Sequence, residues 1–284
     1  MSETKESVAF PPARHLVRDL RVVVDRSQDA ARIRLPIVPA LFDAAGRPRV
    51  GVVAVIADMI AGQTAIREVA PSWIATGNLG LTVGELPTSG TLEGRPRVLR
   101  KGATTIVIEV ELDHLESDRA VGLSTLGFSI LPRRNAMQAA LHDARSGGGV
   151  DALYAPADRG LDAPLLEAMG IAFDPADPAG AEVALDPYLQ NTLGALQGGV
   201  VAILMEATAE RLARARLGGP VRVRGIELQY LKLGRKGPIA ARARALARTP
   251  WGLIARVELF DRGDAEARLT VATVQIERVG DERP

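Results

Sequence analysis

Apolar positions along this chain gather in two long stretches, with shorter runs of β-branched and aliphatic residues after each. The first stretch runs from Gly51 to about Val69, and Asp58 interrupts it. The second, from Val200 to Leu217, is apolar nearly all round in its first two turns, with Glu206 as the exception. Such a pattern predicts two helices enclosed by other structure. Pro71 stops the first; Gly218, Gly219 and Pro220 stop the second, where Arg211, Arg214 and Arg216 suit the negative end of the helix dipole. Extended segments follow each helix: Ile74–Val83, Thr91–Leu99, Thr104–Leu112 and Ala120–Leu131, then Val221–Leu231, Ile239–Ala247, Leu253–Phe260 and Ala267–Val279. Polar turns at Leu115–Asp118 and Asp261–Asp264 suit hairpins between them. The prediction is an α+β fold of antiparallel strands around long helices.

The two helices and their strands are one pattern written twice. A shift of 148 positions, the separation of Asp58 from Glu206, superposes Pro39 on Pro187, Gly51 on Gly199, Val53 on Val201, Gly77 on Gly225 and Arg100 on Arg248 without a gap. The expected division is a first repeat over 20–131, a linker over 132–162 and a second repeat over 163–279. The linker is rich in Gly, Ala, Asp and Arg and has room for a short helix, Asn135 to Ala144. A further helix near Ala163 to Met169 is expected to open the second repeat.

Candidate chemistry concentrates at the start of the second long helix, in Asn191, Gly194, Gln197, Gly198 and Gly199. Paired glycines before an apolar helix leave backbone N–H groups facing outward with the positive end of the dipole behind them, so a developing oxyanion has a place to bind. A carboxylate inside an apolar helix is costly unless paired, so Asp58 and Glu206 each need a reason to be there. Plainer roles stand beside these. Asn191 suits a turn or helix cap, the glycines suit tight packing, Asp58 suits a solvent-facing position, and Thr76 suits a strand.

Composition narrows the field. The 284 residues are 47% hydrophobic, enough to bury one large core or two moderate ones. With 35 basic and 34 acidic residues the net charge is +1, so no overall field favours nucleic acid or an anionic membrane. The absence of cysteine excludes disulfides, thiolate metal sites and a cysteine nucleophile, and fits a cytoplasmic setting. The amino terminus lacks the apolar core of a secretory signal, and the longest apolar runs, such as Val50 to Ala61, are interrupted by Asp58 and too short to span a bilayer. His15, His114 and His142 are scattered, so no metal is expected. Ser124 lies outside a nucleophile-elbow spacing, and there is no phosphate loop or dinucleotide fingerprint.

The glycine motif followed by Glu206 resembles the PaaI-like acyl-CoA thioesterase family, and a long helix wrapped by antiparallel sheet resembles the hotdog fold. Because both repeats share the pattern, the chain resembles a tandem, or double, hotdog. The family more often has histidine where this chain has Gln197 and aspartate where it has Glu206. The resemblance implies composite sites, each joining the helix start of one repeat to the carboxylate of the other. One site then combines Asn191, Gln197, Gly198 and Gly199 with Asp58, and Thr76, eighteen positions beyond Asp58, supplies the family's hydroxyl. The opposite site retains Glu206 and Gly51, while Asp43, Arg49 and Val50 replace Asn191, Gln197 and Gly198, and Arg224 takes the hydroxyl position, where it is expected to pair with Glu206. One working site per chain follows.

The implied reaction is hydrolysis of an acyl thioester, on coenzyme A or a carrier protein, within lipid metabolism. Gly198 and Gly199 would stabilise the oxyanion, Asn191 or Gln197 would hold the carbonyl or water, and Asp58 would act as general base or as nucleophile. No cofactor is expected beyond the coenzyme A of the substrate, and the fold implies homo-oligomers of such chains. Arg95, Arg97, Arg100, Arg133, Arg134, Arg242, Arg244 and Arg248 are candidates for phosphate contacts, with no choice among them. A non-catalytic acyl-CoA or fatty-acyl binding protein and a hotdog enoyl-CoA hydratase are the rival classes. The hydratase ordinarily uses a histidine, which neither helix motif contains.

Overall fold

A computed structural model describes residues 11–27, 31–133, 150–152 and 160–280. Among these, thirteen strands form one antiparallel sheet. In the first repeat they are β1 (Val23–Asp25), β2 (Arg32–Pro36), β3 (Trp73–Val83), β4 (Thr91–Lys101), β5 (Thr105–His114) and β6 (Arg119–Leu131). After β7 (Val150–Ala152) the second repeat supplies β8 (Ala172–Phe173), β9 (Gly180–Val183), β10 (Val221–Tyr230), β11 (Ile239–Thr249), β12 (Gly252–Asp261) and β13 (Ala267–Arg278). Their order is β7-β1-β2-β4-β5-β6-β3-β10-β13-β12-β11-β9-β8. From the centre outward the first half reads β3, β6, β5, β4, β2, β1 and the second β10, β13, β12, β11, β9, β8, which are the same elements of the two repeats in the same sequence. The halves join where β3 pairs with β10, in register from Asn78↔Gln229 to Thr82↔Gly225.

The correspondence extends to irregularities. Register shifts fall between Thr76 and Asn78 in β3 and between Val223 and Gly225 in β10. Before each long helix the chain makes the same loop: Pro39 and Pro187 open a 3-10 turn, Gly46 and Gly194 adopt φ of 73° and 72°, and the bridges Phe42↔Pro48 and Gln190↔Leu196 close it. Positive φ favours glycine at both places. The short helix expected to open the second repeat is Leu165–Ala168, and Leu16–Asp19 is its unexpected counterpart in the first. Part of the expected linker is structured, since β7 pairs with β1. The helix suggested over Asn135 to Ala144 lies outside the described residues.

The long helices are Val50–Glu68 and Gly198–Leu217, starting one and two residues earlier than the pattern suggests. By length and composition the first is long enough to cross a membrane, contrary to the sequence expectation, but 78% of its most apolar window is buried within the protein. Its uniform apolarity serves contacts on several sides: β3, β4, β5 and β6 on one, the second helix on another. The helices cross antiparallel through their amino-terminal turns. There a Cβ on Gly51 would lie 2.6 Å from Ile203 Cα, and one on Gly199 would lie 2.4 Å from Val55 Cα. Glycine at both places lets the backbones touch.

Two helix glycines should therefore respond in opposite directions to alanine. Gly51→Ala meets backbone and should cost about 1–3 kcal/mol, as overpacking does. Gly62→Ala, whose new Cβ would meet nothing closer than Ile74 Cδ1 at 3.9 Å, should gain up to about 1 kcal/mol of helix propensity. Urea midpoints of the two variants against the parent measure both; a stable Gly51→Ala protein would overturn the close-packing account.

Candidate active site

Neither long helix has a side-chain cap of its own. Each is capped by a carboxylate from the middle of the other. Glu206 accepts the Val50 N–H at 2.7 Å on Oε1 and the Gly51 N–H at 2.8 Å on Oε2. Asp58 lies against the second helix, where it accepts the Gly199 N–H, and its Oδ2 stands where a Cβ on residue 198 would approach to 2.7 Å. The composite pairing expected of Asp58 with Gly198 and Gly199 is thus present, and Thr76 Oγ1 donates to Asp58 Oδ1 at 3.1 Å. The register shift just beyond Thr76 ends regular pairing there, a device that re-aims side chains beside functional sites.

The ends differ because glutamate is longer than aspartate by one methylene. Glu206 accepts from both amide groups of its helix start, whereas Asp58 accepts from Gly199 beside a cavity of about 380 Å³ that Gly198 lines. Asp58, Thr76, Asn191, Gln197 and Gly198 all line that cavity, while Gly199 is buried and not among its lining residues. Burial pushes the Asp58 carboxyl up to about 6, with the Thr76 and Gly199 hydrogen bonds opposing the rise. Burial likewise pushes Glu206 up to about 7, against the pull of Arg49 and the two amides.

Gln197 and Asn191 play different parts. Gln197 Oε1 is buried without a hydrogen-bond partner, an acceptor at the cavity wall. Asn191 Oδ1 accepts Leu193 N–H at 2.8 Å and Ala195 N–H at 3.3 Å, so its carboxamide builds the loop. Asp43 does the same for Ala45 and Arg47 in the first repeat.

At the second helix crossing Glu206 and Gly51 meet as expected, but Arg224 does not join them. Its guanidinium reaches Glu277 at 2.8 Å and Glu85 at 2.7 Å, the acids that flank it on the sheet side of β10. The cation near Glu206 is Arg49, which donates to Glu210 Oε2 at 2.6 Å, both side chains being buried. This ion pair fills the space that is cavity at the first site, because the counterparts of Arg49 and Glu210 are Gln197 and Gly62.

Residues without a sequence signal complete the site. The Tyr230 hydroxyl donates to the Gly198 carbonyl at 2.9 Å and its ring lines the cavity. Its counterpart in the first repeat is Thr82, so the repeat gives no hint of it. Trp73, Ile74 and Phe128 form apolar wall, while Leu231, Lys232 and Leu233 stand exposed beside the opening. The amino-terminal segment of the first repeat braces the second repeat's loop: His15 Nε2 donates to Gln190 O at 2.9 Å while Nδ1 accepts Val17 N–H, and the Tyr188 hydroxyl donates to Asp19 at 2.8 Å. Among the surface arginines, Arg95, Arg97 and Arg242 are paired with Asp113, Glu109 and Glu266, away from the cavity. Arg134 and His142 lie outside the described residues. No metal-binding cluster occurs among those described.

No protein-family model matches the chain, and no curated protein sequence matches it. Solved structures do match along nearly the whole length. A putative thioesterase from Novosphingobium aromaticivorans is similar over 90% of this chain and 98% of its own, with TM-score 0.63 and 17% identity. A tesB protein from Mycobacterium avium subs paratuberculosis is similar over 89% and 94%, with TM-score 0.62 and 13% identity. A protein of unknown function with a hotdog fold from Alicyclobacillus acidocaldarius is similar over 95% and 99%, with TM-score 0.58 and 12% identity. The chain has the fold of these proteins.

The raised Asp58 value makes stability depend on pH with a defined sign. Folding disfavours the ionised carboxylate, so stability is lost as pH rises from about 3.9, the ordinary aspartate value, through about 6. The full penalty, on the order of 3 kcal/mol before discounting for access to solvent, persists above that window. Asp58→Asn should match the parent near the bottom of the window and exceed it at about pH 8. Urea titrations at both ends check this; a midpoint difference independent of pH would sink it.

Proposed function

We propose that this chain is an acyl-CoA thioesterase with a double-hotdog architecture of the PaaI-like kind. The observation that carries the reading is the meeting of Asp58 with Gly198 and the Gly199 N–H at the wall of a largely apolar cavity. A thioester carbonyl seated on the Gly198 N–H lies at the positive end of the second helix, where developing negative charge is stabilised. Asp58, held by Thr76 and Gly199, takes a proton from a water molecule whose other hydrogen faces the buried Gln197 Oε1. The water oxygen adds to the carbonyl carbon, the tetrahedral oxyanion collapses, the C–S bond breaks, and the proton held by Asp58 passes to the departing thiolate. Free acid and coenzyme A result, with coenzyme A entering only as part of the substrate. The Tyr230 hydroxyl fixes the Gly198 carbonyl and with it the peptide whose N–H faces Asp58. Similarity to thioesterases supports this reading through fold only; the site chemistry supports it independently.

A bracing role for the Glu206 site is supported by the occupation of both of its amides and by the buried Arg49–Glu210 pair beside it. One site then works per chain.

Release of free thiol from a panel of acyl-CoAs tests the activity. Asp58→Asn should lower kcat/KM by about 10²- to 10⁴-fold, and Glu206→Gln should leave folded protein with near-parental turnover. The reverse pattern would exchange the two sites, and absence of thiol with every substrate would leave an acyl-binding protein. The parent profile should fall on the acid side below about pH 6, where Asp58 is protonated. A second outcome separates charge from geometry. Asp58→Glu keeps the acid but lets it span both amides as Glu206 does, so it should lose at least about 10²-fold, the scale of one oxyanion donor; a parental rate would overturn the role of the Gly198 N–H.

A further inference from the structure

Gly62 lies one helical turn beyond Asp58 and Ile66 one turn beyond Gly62, so the three share a face of the first helix, and all line the cavity. Ile74 on β3 and Phe128 on β6 line it with them. A glycine inside a helix costs about 1 kcal/mol relative to alanine, so it calls for a reason. Backbone strain supplies none, since Gly62 is not among the positive-φ glycines. Close packing supplies none either, because an added Cβ would have its nearest neighbour, Ile74 Cδ1, at 3.9 Å. The second repeat supplies one. At the matching position Glu210 extends into the corresponding space and pairs with Arg49 at 2.6 Å. What Gly62 provides is room.

We propose that Gly62 is the specificity-determining residue of this site: its missing side chain lodges the acyl chain of the thioester, whose tail runs from Asp58 over Gly62 to Ile66 and Phe128. The proposal rests on the thioesterase reading. At 1.5 Å per residue, the eight residues from Asp58 to Ile66 give a groove of about 12 Å. Carbon–carbon bonds of about 1.5 Å, shortened by their zigzag, fit roughly eight to ten carbons into that length. The substrate class is therefore a straight acyl chain of medium length.

The test compares the parent, Gly62→Ala and Gly62→Leu with butyryl-, hexanoyl-, octanoyl- and decanoyl-CoA, following thiol release, with circular dichroism and thermal melting confirming the fold. Each methylene lost from an apolar pocket costs about tenfold or more in kcat/KM. Gly62→Leu should accordingly lose at least about tenfold with the two longer substrates and less than about threefold with butyryl-CoA, with Gly62→Ala between it and the parent. A loss equal at all chain lengths, or no loss, overturns the proposal. Displacement of a fluorescent fatty acid by the free acids reads the same cavity without hydrolysis. If the parent releases no thiol yet Gly62→Leu weakens decanoate and spares butyrate, the reaction is wrong and the role of Gly62 stands; if Gly62→Leu binds decanoate as the parent does, the role of Gly62 falls by itself.

Discussion

The structure depends on two helices that borrow their amino-terminal caps from each other. An uncapped helix start buried in a core would leave several amide groups without partners, and a carboxylate buried in a helix would leave a charge without one. Each deficiency answers the other when the helices cross antiparallel, which requires the backbones to touch, and Gly51 and Gly199 permit that touch. Everything in the sheet is consistent with this crossing. Strands β3 and β10 join beneath it, and the remaining strands wrap outward from each helix in the same order.

Small departures from equivalence fill one crossing and leave the other beside a cavity. Glutamate accepts from two amides of one helix start, while aspartate accepts from Gly199 of the other beside a cavity. The cavity survives because glutamine and glycine stand where, across the pseudo-symmetry, arginine and glutamate form a buried pair. A buried ion pair contributes little net stability against a well-packed apolar alternative, but it is costly to break halfway, so it holds its crossing in one arrangement. The aromatic floor and the hydroxyl of Tyr230 belong to the open crossing.

Much of this was legible in the residues. Proline and glycine punctuation set the helix ends to within two residues, and the 148-residue repeat carried strand assignments from one half to the other. The family resemblance implied that Asp58, Thr76 and the glycine start share one place, and in three dimensions they lie together. Arg224 was misplaced because strand neighbours compete for it: Glu85 and Glu277 lie beside it, whereas Glu206 already has the Val50 and Gly51 amides and the nearby Arg49. Tyr230 was invisible because its partner is a backbone carbonyl, which carries no residue identity. Asn191 shows the opposite limit, since a residue type common in loops was doing what loops need. The informative signal left unused was the contrast of Gly62 with Glu210, four positions beyond the matched acids.

That contrast has a consequence for how such a molecule can diversify. In a symmetric dimer of single repeats, each substitution would occur at both crossings, because an isologous interface uses every residue twice. A residue that plugs one pocket would plug both, and a mutation that hollows one would hollow both and weaken the assembly at two places. Covalent fusion lifts that identity. One crossing can become a fixed hinge pin while the other accepts change, so the evolutionary freedom of the open site is underwritten by the rigidity of the closed one.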